Sequence, residues 1–132
     1  MQPSQAEEPA SILVVDDEAD LVWVVRFNLE LEGFRTFVAS NGRTALDMLE
    51  EVRPDLVLLD LMMPVLDGWA VLHEVRRRGL TSRVIVVSAR TGQLDRKRAD
   101  QYAVDAFVAK PFEMDELLTT IRDLLPPPPP QE

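Results

Sequence analysis

Between residues 11 and 125 the chain alternates short, almost wholly apolar runs with longer stretches whose apolar residues recur every three to four positions. Ile12-Leu13-Val14-Val15, Leu56-Val57-Leu58-Leu59 and Ala106-Phe107-Val108-Ala109 are such runs. Short runs without polar alternation predict strands buried on both faces, as in a parallel sheet covered by helices. Strands are predicted at 11–16, 34–39, 55–60, 83–88 and 104–109, and helices at 18–32, 42–52, 67–78, 92–101 and 113–125. Strand–helix alternation with short connections predicts a doubly wound α/β fold with right-handed crossovers. The punctuation agrees: Gly33 and Gly79 end helices, Asn41-Gly42 and Asp67-Gly68 open them, and Pro54 stops the second. No internal repeat is present.

At 132 residues and 46% hydrophobic composition the chain predicts one folded domain, residues 11–125. Residues 1–10 read as a flexible tail, and 126–132, with Pro126 to Pro130, as an extended polyproline tail or linker. That segment is either a stiff spacer toward an effector domain or a plain terminus. There is no cysteine, which removes disulfides, thiol catalysis and zinc–thiolate sites. Neither a signal peptide nor a membrane-length apolar run is found, so a cytoplasmic location without membrane contact is expected. The net charge of −9 argues against direct nucleic-acid binding. The basic runs Arg76-Arg77-Arg78 and Arg96-Lys97-Arg98 read as solvated helix faces.

The chemistry stands at the strand ends. Asp16-Asp17, Asp60 and Lys110 each follow an apolar run directly. In a parallel sheet all strand ends of one sense share one edge, where open α/β folds place their sites. Any one of these acids alone reads as a turn or cap residue, Asp17 or Glu18 for the first helix. Together they form a carboxylate rim that needs a cation. Oxygen donors without His or Cys favour a hard ion, Mg2+ or alternatively Mn2+. Asp17 and Asp60 are the best direct ligands, Asp16 binding directly or through water, with a backbone carbonyl after Asp60 to complete the set. Beside a metal and Lys110, Asp60 is placed as a nucleophile toward phosphorus. The metal and Lys110 neutralise the phosphoryl oxygens, and Ser88, ending the fourth strand, offers a hydroxyl to them.

These residues make the chain resemble the receiver domain of two-component response regulators. The resemblance spans about 11–125 and rests on Val14-Val15-Asp16-Asp17-Glu18, Asp60-Leu61-Met62-Met63-Pro64 with Asp67-Gly68, Val87-Ser88-Ala89 and Lys110-Pro111-Phe112. It implies a flavodoxin-like five-stranded parallel sheet of order 2-1-3-4-5 flanked by five helices, an order that receivers share with flavodoxin. It implies phosphorylation of Asp60 by a sensor histidine kinase, with Asp16, Asp17, Asp60 and the Met62 carbonyl around Mg2+, and Ser88 and Lys110 on the phosphoryl oxygens. It implies self-catalysed phosphotransfer and hydrolysis rather than a turnover enzyme, a cis Lys110–Pro111 bond, and a switch in which Ser88 moves and Phe107 turns into the vacated space. Lys110→Ala is expected to weaken switching more than folding, because its contact lies on a solvent-facing rim. Relatives place Gly before the fifth strand where this chain has Ala103, which adds strain if φ is positive there.

On the first helix Leu21, Val24, Val25 and Leu29, with Asn28, form the predicted inward stripe. Trp23, Phe27 and Leu31 fall opposite, a surface for a kinase's helical bundle, for a second copy in a homodimer, or for cover by a terminal tail. His73 reads as a surface residue and Trp69 as partly exposed. Competing readings are a haloacid-dehalogenase-like phosphohydrolase, a flavin-binding module and an interaction module without phosphorylation. The first needs an acid two residues after its nucleophile, where Met62 stands; the second would meet Asp16-Asp17-Glu18 with its phosphate; the third would be a degenerate receiver, and no expected site residue is missing here.

Overall fold

The computed structural model describes residues 9–126. The tail before Pro9 and the polyproline run after Pro126 lie outside the described residues, as does any tail cover of the first helix. The elements run β1 (Ser11–Val15), α1 (Ala19–Leu31), β2 (Arg35–Ala39), α2 (Gly42–Val52), β3 (Leu56–Leu59), α3 (Gly68–Arg77), β4 (Arg83–Ser88), α4 (Gln93–Asp100), β5 (Ala106–Ala109) and α5 (Met114–Leu124). All pairings are parallel and the strand order is β2-β1-β3-β4-β5. The flavodoxin-like architecture expected from the sequence is the one observed.

The period-two geometry of strands divides the core. Leu13, Val15, Val57, Leu59, Val84 and Val86 pack with Ala45, Leu49, Val71, Leu72 and Val75 of α2 and α3. Ile12, Val14, Leu56, Leu58, Ile85 and Val87 pack with Val22, Val25 and Leu29 of α1 and Leu117 and Ile121 of α5. β1, β3 and most of β4 are buried throughout, as a sheet covered on both faces requires. β5 is not: as an edge strand it is only half buried, apart from Val108, and its run of apolar residues overstated its cover.

Caps set the helix bounds. Asn41 Oδ1 accepts from the Thr44 N–H at 2.9 Å and Asp67 Oδ1 from the Ala70 N–H at 3.0 Å. Gly33 and Gly79 end their helices at φ 97° and 69°. Ala103 takes φ 56° before β5, the strained alternative for a residue with a Cβ. Val65, in the β3–α3 loop, sits at φ 70° and is 76% exposed. A β-branched residue in the left-handed region costs roughly 1–2 kcal/mol. Val65→Gly is therefore expected to raise stability by about 0.5–1 kcal/mol after the extra chain entropy of Gly is counted, visible as a higher urea midpoint at unchanged slope. A lower midpoint would mean that the loop needs its side chain.

Several side chains depart from the sequence reading. Val24 is 41% exposed and Val22 takes its place inward, because the centre of the buried arc lies on Val22, Val25 and Leu29. Trp69 is buried, with the Arg98 guanidinium 4.1 Å over its ring. Arg76 is no solvated residue: it donates to the Tyr102, Ala103 and Leu80 carbonyls and ties the α4–β5 turn to α3. Arg77 and Arg78 grip Glu74, whose carboxyl is lowered to about 2, by the Arg77 hydrogen bond first, against an opposing effect of burial. His73 is exposed, as expected, and meets Tyr102 edge-on at 6.2 Å.

Candidate phosphoacceptor site

Backbone hydrogen bonds carry the ladder one residue past each strand and so fix the rim. The Asp16 N–H donates to Ala39 O at 3.1 Å, the Asp60 N–H to Val15 O at 3.0 Å and the Lys110 N–H to Ser88 O at 2.9 Å. Asp16 and Asp60 thus emerge side by side from neighbouring strands. One carboxylate oxygen from each of Asp16, Asp17 and Asp60 lies within 4.8 Å of the others. Asp16 and Asp60 are buried, at 6% and 5% exposure, while Asp17 faces solvent.

Lys110 arrives from β5 beyond the intervening end of β4. Its Nζ donates to Asp16 Oδ2 at 2.7 Å and Glu18 Oε1 at 3.0 Å, and reaches Asp60 Oδ2 at 3.5 Å. Its side chain is only 12% exposed, so the expectation of a solvent-facing contact is corrected. Burial works against its charge, but the hydrogen bonds to Asp16 and Glu18 outweigh it and hold the ammonium above the ordinary lysine value. The Lys110–Pro111 peptide is cis.

Asp60 is pushed the other way. Burial raises its carboxyl above the usual range, and the nearby Asp16 adds to this; the Met62 N–H, donating to Oδ1 at 3.1 Å, and Lys110 act against it. The loop after Asp60 folds back tightly. The Gly68 N–H donates to Leu61 O at 3.1 Å, and a Cβ on Gly68 would strike Asp60 O and lie 2.6 Å from Leu61 Cα. Gly68→Ala is expected to cost about 1–3 kcal/mol, because two backbones must part. The same shift displaces Asp60, so phosphoryl uptake should fall with it; an alanine variant with wild-type melting and uptake would show that the loop has slack.

Ser88 is fully buried at the end of β4, where its Oγ accepts from the Arg90 N–H at 3.1 Å. Phe107 is partly buried on β5 and pairs in register with Val86. The Arg96 guanidinium lies 4.6 Å over its ring. Met62 is 53% exposed and lines, with Asp17, Met63, Pro64 and Arg90, the cleft beside the carboxylates. The structure therefore brings Asp16, Asp17, Asp60 and Lys110 together, with Ser88 and Met62 on the same rim. Trp23, Phe27 and Leu31 do not belong to it; they stand outward on α1, Trp23 and Phe27 stacked 5.5 Å apart. Sequence reasoning missed Glu18 as a partner of Lys110, although a third acid directly after Asp16-Asp17 was the available signal. It also missed the contacts of Arg96 with Phe107 and of Arg90 with Asp95, which have no local sequence signature.

The donor set suits a small hard cation: clustered carboxylate oxygens, with no His or Cys in the group. No helix among the described residues is long and apolar enough to cross a membrane.

Comparison with known proteins agrees with the geometry. Residues 12–122 match the response regulator receiver domain family. The chain is 30% identical to the receiver domain of a Francisella response regulator, with a TM-score of 0.83 over 87% of this chain and 95% of that one. It is 25% identical to a chemotaxis response regulator of Vibrio cholerae, TM-score 0.83, over 89% and 99% of the two chains. It is also 30% identical to the receiver domain of a sensor histidine kinase from Pseudomonas aeruginosa, described with a magnesium ion coordinated in its active-site cleft, TM-score 0.79 over 88% and 97%. The phosphohydrolase and flavin readings are set aside by this match. With its carboxylate rim, its lysine and its sheet order all in place, the chain belongs to the response regulator receiver domain family.

Proposed function

We propose that Asp60 accepts a phosphoryl group from the phosphohistidine of a sensor histidine kinase and that this modification switches the surface made by α4, β5 and α5. The carrying observation is the convergence of Asp16, Asp17, Asp60 and the Lys110 ammonium on one sheet edge. An Asp60 carboxylate oxygen attacks phosphorus, the P–N bond breaks, and the electron pair leaves with the imidazole. Asp16, Asp17, Asp60 and the Met62 carbonyl would hold Mg2+, which supplies positive charge against the phosphoryl oxygens. Lys110 binds a further phosphoryl oxygen, and Ser88 exchanges its contact with the Arg90 N–H for another. As Ser88 moves, Phe107 turns toward the vacated space and gives up its place under Arg96. A two-state packing equilibrium is thereby biased by one new charge. The domain performs this chemistry once per activation and loses the group by hydrolysis of the acyl phosphate, water taking the phosphoryl group as inorganic phosphate and Asp60 regaining its carboxylate.

The donor docks on α1. Trp23, Phe27 and Leu31 are 67%, 50% and 69% exposed. Val24 connects them to a groove lined by Leu21, Phe112 and Met114 that ends at Lys110. This continuity with the site favours the kinase's helical bundle over a second copy of the chain. A free effector or a homodimer is a downstream partner of the switched face.

Incubation with acetyl phosphate and Mg2+, read by intact mass, should give one labile phosphoryl adduct on the wild type. An unmodified mass in folded, Mg2+-supplied protein would overturn the reading.

A further inference from the structure

Glu18 stands at the N-cap of α1, where a Ser, Thr, Asp or Asn side chain ordinarily turns back onto the first-turn N–H groups. Its side chain makes no such bond, and neither does that of Glu113 at the N-cap of α5. Instead Glu18 Oε1 is turned to Lys110, 3.0 Å from Nζ. Glu18 is 62% exposed, so an ion pair of this kind adds little to folding. The pair does move a charge. The ammonium is nearer to Asp16 and Glu18, at 2.7 and 3.0 Å, than to Asp60 at 3.5 Å. It is drawn toward β1, away from the group on which the phosphoryl charge will appear.

We infer that Glu18 is a positioning residue, one that parks Lys110 against β1 and competes with the phosphoryl group on Asp60 for the ammonium. The inference rests on the Asp60 reading above. A phosphorylated Asp60 offers Lys110 new anionic oxygens, and to reach them the lysine gives up Glu18. The stronger the Glu18 contact, the smaller the fraction of chains that stay phosphorylated at a fixed donor concentration. Reach matters as well as charge. An aspartate at this position keeps the charge, is one methylene short of Lys110, and is free to cap α1.

The test compares wild type, Glu18→Gln, Glu18→Asp and Asp20→Asn at saturating Mg2+ and fixed acetyl phosphate, reading the ratio of phosphorylated to unmodified chains by intact mass. Both Glu18 variants should raise that ratio about 1.5- to five-fold, the range that one partly exposed charge contact commands. Asp20→Asn removes another exposed acid of the same helix, one that makes no ion pair with Lys110, and should keep the wild-type ratio. The 15N resonance of the Lys110 ammonium should shift in both Glu18 variants and hold still in Asp20→Asn. A gain in Glu18→Gln without one in Glu18→Asp would show that bulk charge, not position, sets the ratio, and would overturn the inference. So would unchanged or lowered ratios in both. If the wild type itself takes no phosphoryl group, the Asp60 reading fails and this inference falls with it; an adduct whose level ignores Glu18 sinks this inference alone.

Discussion

Asp60→Asn is expected to form no phosphoryl adduct and, in metal-free buffer at neutral pH, to be more stable than the wild type by about 1 kcal/mol. Loss of the adduct follows from loss of the nucleophilic oxygen. The gain in stability follows from burial. The Asp60 carboxylate is 5% exposed beside Asp16, and its charged form is disfavoured there. Asparagine keeps an oxygen for the Met62 N–H and sheds the charge, while Lys110 retains Asp16 and Glu18. Sites arranged for chemistry commonly forfeit stability in this way. The sign of the pH dependence is fixed. A carboxyl whose native pKa is raised holds its proton more tightly when folded than when unfolded, so the wild type loses stability as pH climbs from about 3.9, the unfolded value, through the raised native one. The variant has no such loss. Its advantage should be absent in acid and reach a plateau near neutrality, measured by urea unfolding across that range. A variant less stable than wild type at pH 7 would mean that the 3.5 Å contact with Lys110 outweighs the cost of burial.

Lys110→Ala should have the larger effect on the fold, in the opposite direction. Removing the ammonium leaves the Asp16 and Asp60 side chains, 7% and 6% exposed, adjacent and without their cation. Removing one partner of a buried charge contact costs about 3–5 kcal/mol, and the partly open rim brings this to about 2–3 kcal/mol in metal-free buffer. Added Mg2+ binds the native state alone and stabilises it by mass action. It should raise the melting temperature of Lys110→Ala more than that of the wild type, because Lys110 no longer competes for Asp16 Oδ2. For Lys110 the native pKa is raised, so its contribution is complete below about 10.4, the unfolded value, and fades only as pH rises through the native one. Across neutral pH the gap between the two proteins should therefore owe nothing to lysine titration. Equal Mg2+ shifts in both would show that lysine and cation occupy separate places.

The fold was legible because its signals are local. Buried strands of a parallel sheet need near-continuous apolar runs, and four of the helix bounds needed only Asn41, Asp67, Gly33 and Gly79, each acting on its own turn. The carboxylate rim was legible for the same reason: parallel strands force Asp16, Asp60 and Lys110 to one edge whatever lies between them. Where cover depends on the neighbouring strand the reading failed. β5 looks in sequence like an interior strand, and only its place at the edge exposes it. Val24 and Val22 are equivalent by composition, and only the packing of α1 against the sheet and α5 chose between them. The arginines were least legible, since a guanidinium on a long stem takes whatever carbonyl or ring the tertiary fold presents, as Arg76 does with Tyr102 O and Arg96 with Phe107.

By itself the sequence determined the order of strands and helices, the sheet edge that bears the acids, and the place of Asp60 on that edge beside the Asp16-Asp17 pair and Lys110, because each follows from patterns a few residues long or from the geometry of parallel strands. Only the tertiary structure decided which carboxylates hold Lys110, how deeply Asp60 is buried, and which aromatic faces the arginines cover. Those depend on distances between segments far apart in the chain, which no local periodicity encodes.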